Sequence, residues 1–129
     1  MDNALHEWFE QHRDFFAPSG SFCGISIGPG WEPLVIDALN KLYECARGLE
    51  ICQIKEKYGG LRIYWWATDE VINYTQIDNI ILEAEKLASR TCEQCGKEAC
   101  LCVRNGWYNT LCTDCAETLG YTCCTRKDR

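Results

Sequence analysis

The sequence predicts an α+β fold in which helices pack on a small antiparallel sheet and cysteines hold a C-terminal module together. Three observations lead to this prediction. Three segments repeat apolar residues at helical spacing, two β-prone segments flank a glycine turn, and two C-x-x-C pairs lie near the C-terminus. We expect an α+β body over residues 1–90, with the cysteine module, residues 91–129, docked on it.

The first helix is predicted from about Asp2 to Phe16, where apolar residues recur at i, i+3, i+4 and i+7. Its aromatic stripe is typical of a core-facing helix, although the same pattern suits helix-in-groove binding. His12 on this stripe is expected in the core or at its boundary, and His6 in solvent. These two histidines lack the i, i+4 spacing of a metal pair. Pro18-Ser19-Gly20 should end the helix.

A short β-prone segment, residues 21–27, is followed by Gly28-Pro29-Gly30. This tripeptide lacks the glycine spacing and the lysine of a phosphate loop, so we interpret it as a turn. A second helix should then open at Trp31 and Glu32 and close at Gly48, with its own apolar stripe.

Two antiparallel strands are predicted over residues 49–57 and 61–67, joined through Tyr58-Gly59-Gly60. In the second strand both alternating faces are apolar or aromatic. The adjacent Trp65 and Trp66 therefore suit one tryptophan in each of two layers, or an exposed aromatic patch. A third amphipathic helix, capped by Thr75 or Asp78, should lead directly to the first C-x-x-C pair.

The two C-x-x-C pairs predict one tetrahedral zinc site with the ligands Cys92, Cys95, Cys112 and Cys115. A two-residue gap allows a tight turn to direct two thiolates at one ion. Between the pairs, residues 99–104 and 107–111 are predicted strands, joined by the hairpin-favouring Asn105-Gly106. A strand hairpin between two metal-binding turns is a zinc ribbon. A short helix should follow over Ala116 to Tyr121.

Four further cysteines offer a possible second metal site: Cys100, Cys102, Cys123 and Cys124. Cys100 and Cys102 should project from one side of a strand, because side chains alternate along it. Adjacent cysteines are poorer tetrahedral partners than a C-x-x-C pair, so a single zinc is the preferred interpretation. Disulfide formation among these thiols is the remaining alternative.

Composition and charge restrict the class of protein. The chain has eleven cysteines, an acidic start without a basic and apolar leader pattern, and no apolar run long enough to span a bilayer. We therefore expect a protein of the bacterial cytoplasm with reduced, metal-bound thiols and no membrane partner. The first 85 residues carry a net charge of −8, and residues 86–129 one of +2.

Several motifs resemble one family. They are Gly30-Trp31, the run from Lys55 to Arg62 (K-E-K-Y-G-G-L-R), Cys92-Glu93-Gln94-Cys95-Gly96, Gly106-Trp107 and Thr110-Leu111-Cys112 with Cys115. Over about residues 25 to 116 the chain is similar to small zinc-ribbon-ended proteins encoded by bacteria and by their phages and prophages. The resemblance implies zinc and this genomic habitat, and no established activity. Cys100, Cys102, Cys123 and Cys124 depart from the family pattern.

Three classes of function compete. An enzyme is disfavoured, because the sequence lacks a recognisable catalytic motif and a four-cysteine zinc has no open coordination position. The favoured hypothesis is a non-enzymatic, zinc-stabilised protein-binding module of phage or prophage type. It would act on a host protein, for example as an inhibitor of a defence or gene-expression system, with the acidic body suited to a basic target. The alternative is a zinc ribbon that binds nucleic acid, and no small-molecule substrate is inferred.

The candidate partner-binding residues form a basic and aromatic set on the central hairpin: Lys55, Lys57, Tyr58, Arg62, Tyr64 and Trp66. The acidic balance of the main body argues against nucleic acid as their ligand. The glycines of this hairpin also suit a purely structural turn, so its role stays open between structure and binding.

Overall fold

The computed structural model describes residues 4–17, 20, 22–46, 48–67 and 73–124. The predicted helix start before residue 4, residues 18–19 of the predicted turn, Ser21 and the basic tail 125–129 lie outside these described residues. The elements form an α+β fold. In chain order they are α1 (Ala4–Gln11), β1 (Ile25–Ser26), α2 (Glu32–Cys45), β2 (Leu49–Lys57), β3 (Gly60–Ala67), α3 (Tyr74–Ala88), β4 (Cys100–Arg104), β5 (Trp107–Leu111), α4 (Thr113–Leu119) and β6 (Thr122–Cys123), with 3-10 turns at Arg13–Phe15 and Pro29–Trp31.

The first sheet has the strand order β1-β2-β3. β2 and β3 pair antiparallel as predicted, with a bulge between Ile51 and Gln53, whereas β1 pairs parallel to β2. The predicted α+β fold with an antiparallel strand pair is confirmed, and the parallel pairing of β1 adds a third strand whose direction the sequence did not predict. Among the described residues of the β-prone segment, the strand is Ile25–Ser26, which pairs with β2 at two register positions.

The core of the body lies between this sheet and helices α1, α2 and α3. It includes Trp8, Phe15 and Phe16, so the aromatic stripe of the first helix faces the core. The α-helix itself ends at Gln11, five residues before its predicted end. A 3-10 turn then carries Phe15 into the core.

The second sheet, β5-β4-β6, is antiparallel and lies in the cysteine module. The β4–β5 hairpin turns at Asn105 and Gly106, both with positive φ, as the predicted two-residue turn requires. Buried hydrophobic residues of the cysteine module form a cluster separate from the core of the body: Cys92, Cys102, Leu111, Cys112 and Ala116.

Two helix starts differ from the predictions. Asn73 caps α3, since its side chain accepts a 3.1 Å hydrogen bond from the N–H of Gln76, and the expected caps Thr75 and Asp78 lie inside the helix. α4 starts at Thr113, three residues before its predicted start, because Cys112 caps it. Among the described residues, no helix has both the length and the apolar character that crossing a membrane requires.

Candidate metal centre

The four cysteines of the two C-x-x-C pairs converge on one point. Their sulfur atoms all lie within 4.8 Å of one another, and those of Cys95 and Cys112 are 3.5 Å apart. Cys92 and Cys112 are buried, Cys115 is half-buried and Cys95 is exposed. The group is therefore placed to hold a metal ion at the edge of the ribbon, with one side near solvent.

Local backbone structure shapes both halves of this group. In the first half, the N–H of Gly96 donates to the carbonyl of Cys92 at 2.9 Å, and the positive φ of Gly96, 86°, allows the chain to double back. In the second half, Cys112 is the N-cap of α4, and the N–H of Cys115 points at its sulfur from 3.4 Å. A tight turn and a helix start thus direct two sulfur atoms each at the same point.

The thiols of this group have divergent acidities. Burial opposes ionisation of Cys92, but hydrogen bonds from the backbone of Cys112, Cys95 and Gln94 lower its pKa to about 7. Burial raises the pKa of Cys115 to about 12, together with the neighbouring thiols of the same group. Backbone hydrogen bonds therefore favour the Cys92 thiolate, whereas burial and neighbouring thiols suppress ionisation of Cys115, and a bound cation would favour both thiolates.

The turn that carries Cys92 and Cys95 is hydrogen-bonded to the body. Its partner is the segment Gly28-Pro29-Gly30, which the sequence predicted to be a simple turn, together with Trp31. The N–H of Gly30 donates to the carbonyl of Glu93 at 2.7 Å, and that of Gly28 donates to the Glu93 carboxylate at 2.8 Å. The indole N–H of the fully buried Trp31 donates to the carbonyl of Thr91 at 2.7 Å. We call these contacts of residues 28–31 with 91–93 the clip.

Glycine is required in the clip because the backbones touch. A Cβ on Gly30 would collide with the carbonyl oxygen of Cys92 and lie 2.5 Å from the backbone nitrogen of Gly96. A Cβ on Gly28 would lie 2.5 Å from the carbonyl oxygen of Glu93. Sequence reasoning missed this role, although Gly30-Trp31 belongs to the motifs that carry the family resemblance.

Glu93 is a buried carboxylate inside the clip. Burial raises its pKa above the ordinary value of 4.5, the hydrogen bond from Gly28 opposes this, and the charge of Glu56 adds to the rise. The backbone N–H of Glu93 also donates to the carbonyl of Thr110 at 3.0 Å. The same residue thus joins the body, the first metal-binding turn and β5.

The Tyr58-Gly59-Gly60 turn of the body packs on the ribbon hairpin. The hydroxyl of Thr110, buried in β5, donates to the carbonyl of Gly59 at 2.7 Å. A Cβ on Gly59 would lie 2.5 Å from the Leu101 side chain. Gly59 is therefore structural, while its neighbour Tyr58 has a positive φ and holds its ring in solvent, 73% exposed.

A second cysteine group lies on β4 and β6, and its Cys102 belongs to the same buried cluster as Cys92 and Cys112. The sulfur atoms of Cys100, Cys102 and Cys123 are within 4.8 Å of one another, so this group too is placed to hold a metal ion. Cys100 and Cys123 are joined as a disulfide. The proposed fourth ligand, Cys124, lies outside the group. Cys124 directly follows Cys123, the last residue of β6, and is not among the three cysteines whose sulfur atoms lie within 4.8 Å of one another.

The candidate partner-binding residues share one face of the first sheet. Lys55 pairs with Arg62 across the β2–β3 ladder, and Tyr64 and Trp66 follow Arg62 at alternate positions on β3. Trp66 is 50% exposed, and its indole N–H donates to the Glu50 carboxylate at 3.0 Å. Trp65 packs against the core instead, so the two tryptophans occupy different layers.

The ribbon extends this face with residues that sequence reasoning did not single out. A cavity of about 750 Å³ lies between the two hairpin turns, where Lys55, Lys57 and Tyr58 meet the β4–β5 turn. Trp107, 72% exposed, is the most prominent ribbon side chain there. We define the aromatic–basic face as Lys55, Lys57, Tyr58, Arg62, Tyr64 and Trp66 of the body with Arg104, Trp107 and Tyr108 of the ribbon. The ribbon residues join this face because the β2–β3 turn packs near the β4–β5 turn, and the spacing of residues along the sequence does not encode this contact.

No protein-family model, curated protein or solved structure matches the chain in the comparisons made. The functional conclusions therefore rest on the residues and contacts above.

Proposed function

We propose that the chain is a zinc-stabilised, non-enzymatic protein-binding module that acts on a host protein in the bacterial cytoplasm. The observation that carries the proposal is the aromatic–basic face. Tyrosine, tryptophan and arginine are the side chains that dominate binding energy at protein interfaces. The tyrosines and tryptophans of the face are exposed on the two hairpins, beside Arg62 and Arg104. Following the family resemblance, we propose a phage or prophage role, with inhibition of a defence or gene-expression system as one form of it.

Zinc is the proposed ion at Cys92, Cys95, Cys112 and Cys115. A tetrahedron with Zn–S bonds of ~2.3 Å has sulfur–sulfur edges of roughly 3.8 Å. The 3.5 Å separation of Cys95 and Cys112, and the 4.8 Å limit on the whole group, fit such a site with small adjustments. Four thiolates leave zinc no position for water or substrate, so the ion would act on the fold and not in catalysis.

The chemistry of the face defines the complementary partner. Its aromatic side chains lie among Lys55, Lys57, Arg62 and Arg104, so a matching protein surface would present carboxylates around apolar pockets. This differs from the basic target expected from the acidic body. The remaining negative charge would disfavour other acidic surfaces and so add specificity.

Affinity capture from a bacterial host lysate tests the proposal. The zinc-loaded wild type should retain one protein in stoichiometric amount, and Tyr58→Ala/Trp107→Ala should lose it, because both rings are exposed anchors. Leu82→Ala is the matched control, since Leu82 is an exposed apolar residue on α3, away from the face. Recovery of no stoichiometric protein, or equal recovery by both variants, would contradict the proposal.

Single-stranded nucleic acid is the second candidate, favoured by one observation. The cavity between the hairpin turns combines Lys55, Lys57 and Arg104 with Tyr58 and Trp107. Cations for phosphates and aromatic rings for bases are the two components of a single-strand site. Fluorescence anisotropy with labelled single strands decides this. Affinity that falls steeply with salt, and is lost in Tyr58→Ala/Trp107→Ala, would favour it over a protein partner, whereas no binding at low salt would reject it.

A further inference from the structure

The second cysteine group joins two strands of the ribbon through three sulfur atoms. Cys100 and Cys102 lie two residues apart on β4 and so project from the same side. Cys123 of β6 is the cross-strand partner of Cys102. All three sulfurs are within 4.8 Å of one another, and the proposed function uses none of them.

A cavity gives access to this group. It has a volume of about 450 Å³ and is lined by the three cysteines, by residues of β5, α4 and β6, and by Cys112 of the four-cysteine group. Cys102 is fully buried, and its thiol donates hydrogen bonds to the carbonyl oxygens of Cys100 at 3.4 Å and Leu111 at 3.8 Å. The group therefore offers sulfur donors at the base of a space that an ion can enter.

The donor set selects a soft ion. The group holds cysteines alone among the described residues, and Cys124 lies outside it, so three sulfurs are available instead of four. Zinc completes four positions in structural sites, whereas soft thiolate donors favour Cu⁺, which is stable with three. Two of the same sulfurs also form the Cys100–Cys123 disulfide, which excludes them from binding an ion.

We propose that Cys100, Cys102 and Cys123 form a redox-gated site for Cu⁺, distinct from the four-cysteine zinc centre. In the reduced state the three thiols lose their protons and bind one ion. In the oxidised state a bond forms between the sulfurs of Cys100 and Cys123. One protein thiolate attacks a small-molecule disulfide of the glutathione type, which forms a mixed disulfide and releases one small thiol, and the second protein sulfur then displaces the other. The two electrons and the two protons of the protein thiols thus end on the small-molecule disulfide, whose S–S bond breaks to give two thiols.

Metal titration of the whole zinc-loaded chain tests the proposal. Protein reduced with a phosphine is mixed anaerobically with Cu⁺ held by a competing chromophoric chelator, and bound copper and zinc are measured by elemental analysis. The wild type should retain one zinc and take up one copper. Cys100→Ser/Cys123→Ser should retain its zinc, keep a native circular dichroism spectrum and take up no copper.

Two further measurements separate the alternatives. Cys124→Ser should bind copper like the wild type, and loss of binding would overturn the three-sulfur assignment. Oxidation with glutathione disulfide should abolish copper binding, and reduction should restore it. Copper uptake that is unaffected by oxidation, uptake by the double variant, or two zinc ions and no copper in the wild type would each overturn the proposal.

Discussion

Gly30 is placed where a single methyl group would disturb the metal centre. Its backbone lies against Cys92 and Gly96, and the 2.7 Å hydrogen bond from its N–H to Glu93 fixes this approach. Because Gly30 has no Cβ, its backbone can approach the backbone of the turn that contains Cys92 and Gly96.

We expect Gly30→Ala to lower the free energy of unfolding of the zinc-loaded protein by roughly 1–3 kcal/mol or more, because the added Cβ forces two backbones apart. Urea unfolding followed by tryptophan emission measures the loss. Gly60→Ala is the matched control, since a Cβ there meets the movable end of Arg62 at 3.1 Å. Equal losses in the two variants would show that the close approach at Gly30 is unimportant.

The buried carboxylate of Glu93 predicts a pH dependence. Its pKa is raised on folding above 4.5, so the folded state binds the proton more tightly. The stabilising effect is complete below the unfolded pKa and is lost as pH rises through the folded pKa. Glu93→Gln keeps an acceptor for Gly28 and cannot ionise, so its stability relative to the wild type should increase as pH rises through this window.

Urea unfolding of both proteins at several mildly acidic and neutral pH values, with zinc in excess, measures this difference. The comparison cancels the pH dependence of zinc binding, which the two proteins share. A difference that stays constant, or falls as pH rises, would contradict the assigned direction.

The turn of the β2–β3 hairpin contacts the β4–β5 hairpin. The Tyr58-Gly59-Gly60 turn rests on the ribbon hairpin, and the hydroxyl of Thr110 links the two at 2.7 Å. Short-range signals predicted these elements well: strands β2 and β5 have their predicted bounds, and Asn105-Gly106 forms the turn. The 3-10 turn after α1 and the parallel pairing of β1 were not predicted, because packing partners far along the chain decide them.

Thr110→Val should cost about 1–3 kcal/mol of unfolding free energy, because the Gly59 carbonyl loses its buried partner while shape is preserved. Thr118→Val is the control. It removes an exposed 3.0 Å hydrogen bond to Asp114 within α4, so its effect should stay within about 0.5 kcal/mol. Thermal unfolding of both variants provides the comparison, and a loss at Thr110 no larger than at Thr118 would contradict the link.

Across the part of the chain that the structure describes, the buried residues form two clusters, and the larger one contains the extensive apolar packing. The positions of the four converging cysteines followed from spacing, because two C-x-x-C pairs encode a site locally. The clip could not be predicted in this way, because the sequence of residues 28–31 contains no signal for contact with residues 91–93. The three-sulfur group was only partly predicted, since the sequence offered Cys124 as a fourth member and the group contains Cys100, Cys102 and Cys123.

Chelation of the metal at neutral pH should unfold the ribbon and leave most of the body folded. Structural zinc contributes on the order of 10–16 kcal/mol, which the small ribbon cluster cannot replace. Hydrogen exchange should accelerate in β4, β5 and α4, and remain slow in α2 and β2. Unchanged exchange in the ribbon after complete metal removal would contradict a structural role of the ion.

The clip also has a consequence for the order of events during synthesis. The amides of Gly28 and Gly30 and the indole of Trp31 find their acceptors on residues made sixty or more positions later. On the ribosome, these three donors therefore stay without their native acceptors until residues 91–93 have emerged. Helix α2 starts directly after Trp31, so the hydrogen bonds beside its first turn form only after residues 91–93 have been made. The arrival of the first metal-binding turn is thus a late step in the co-translational maturation of the body itself.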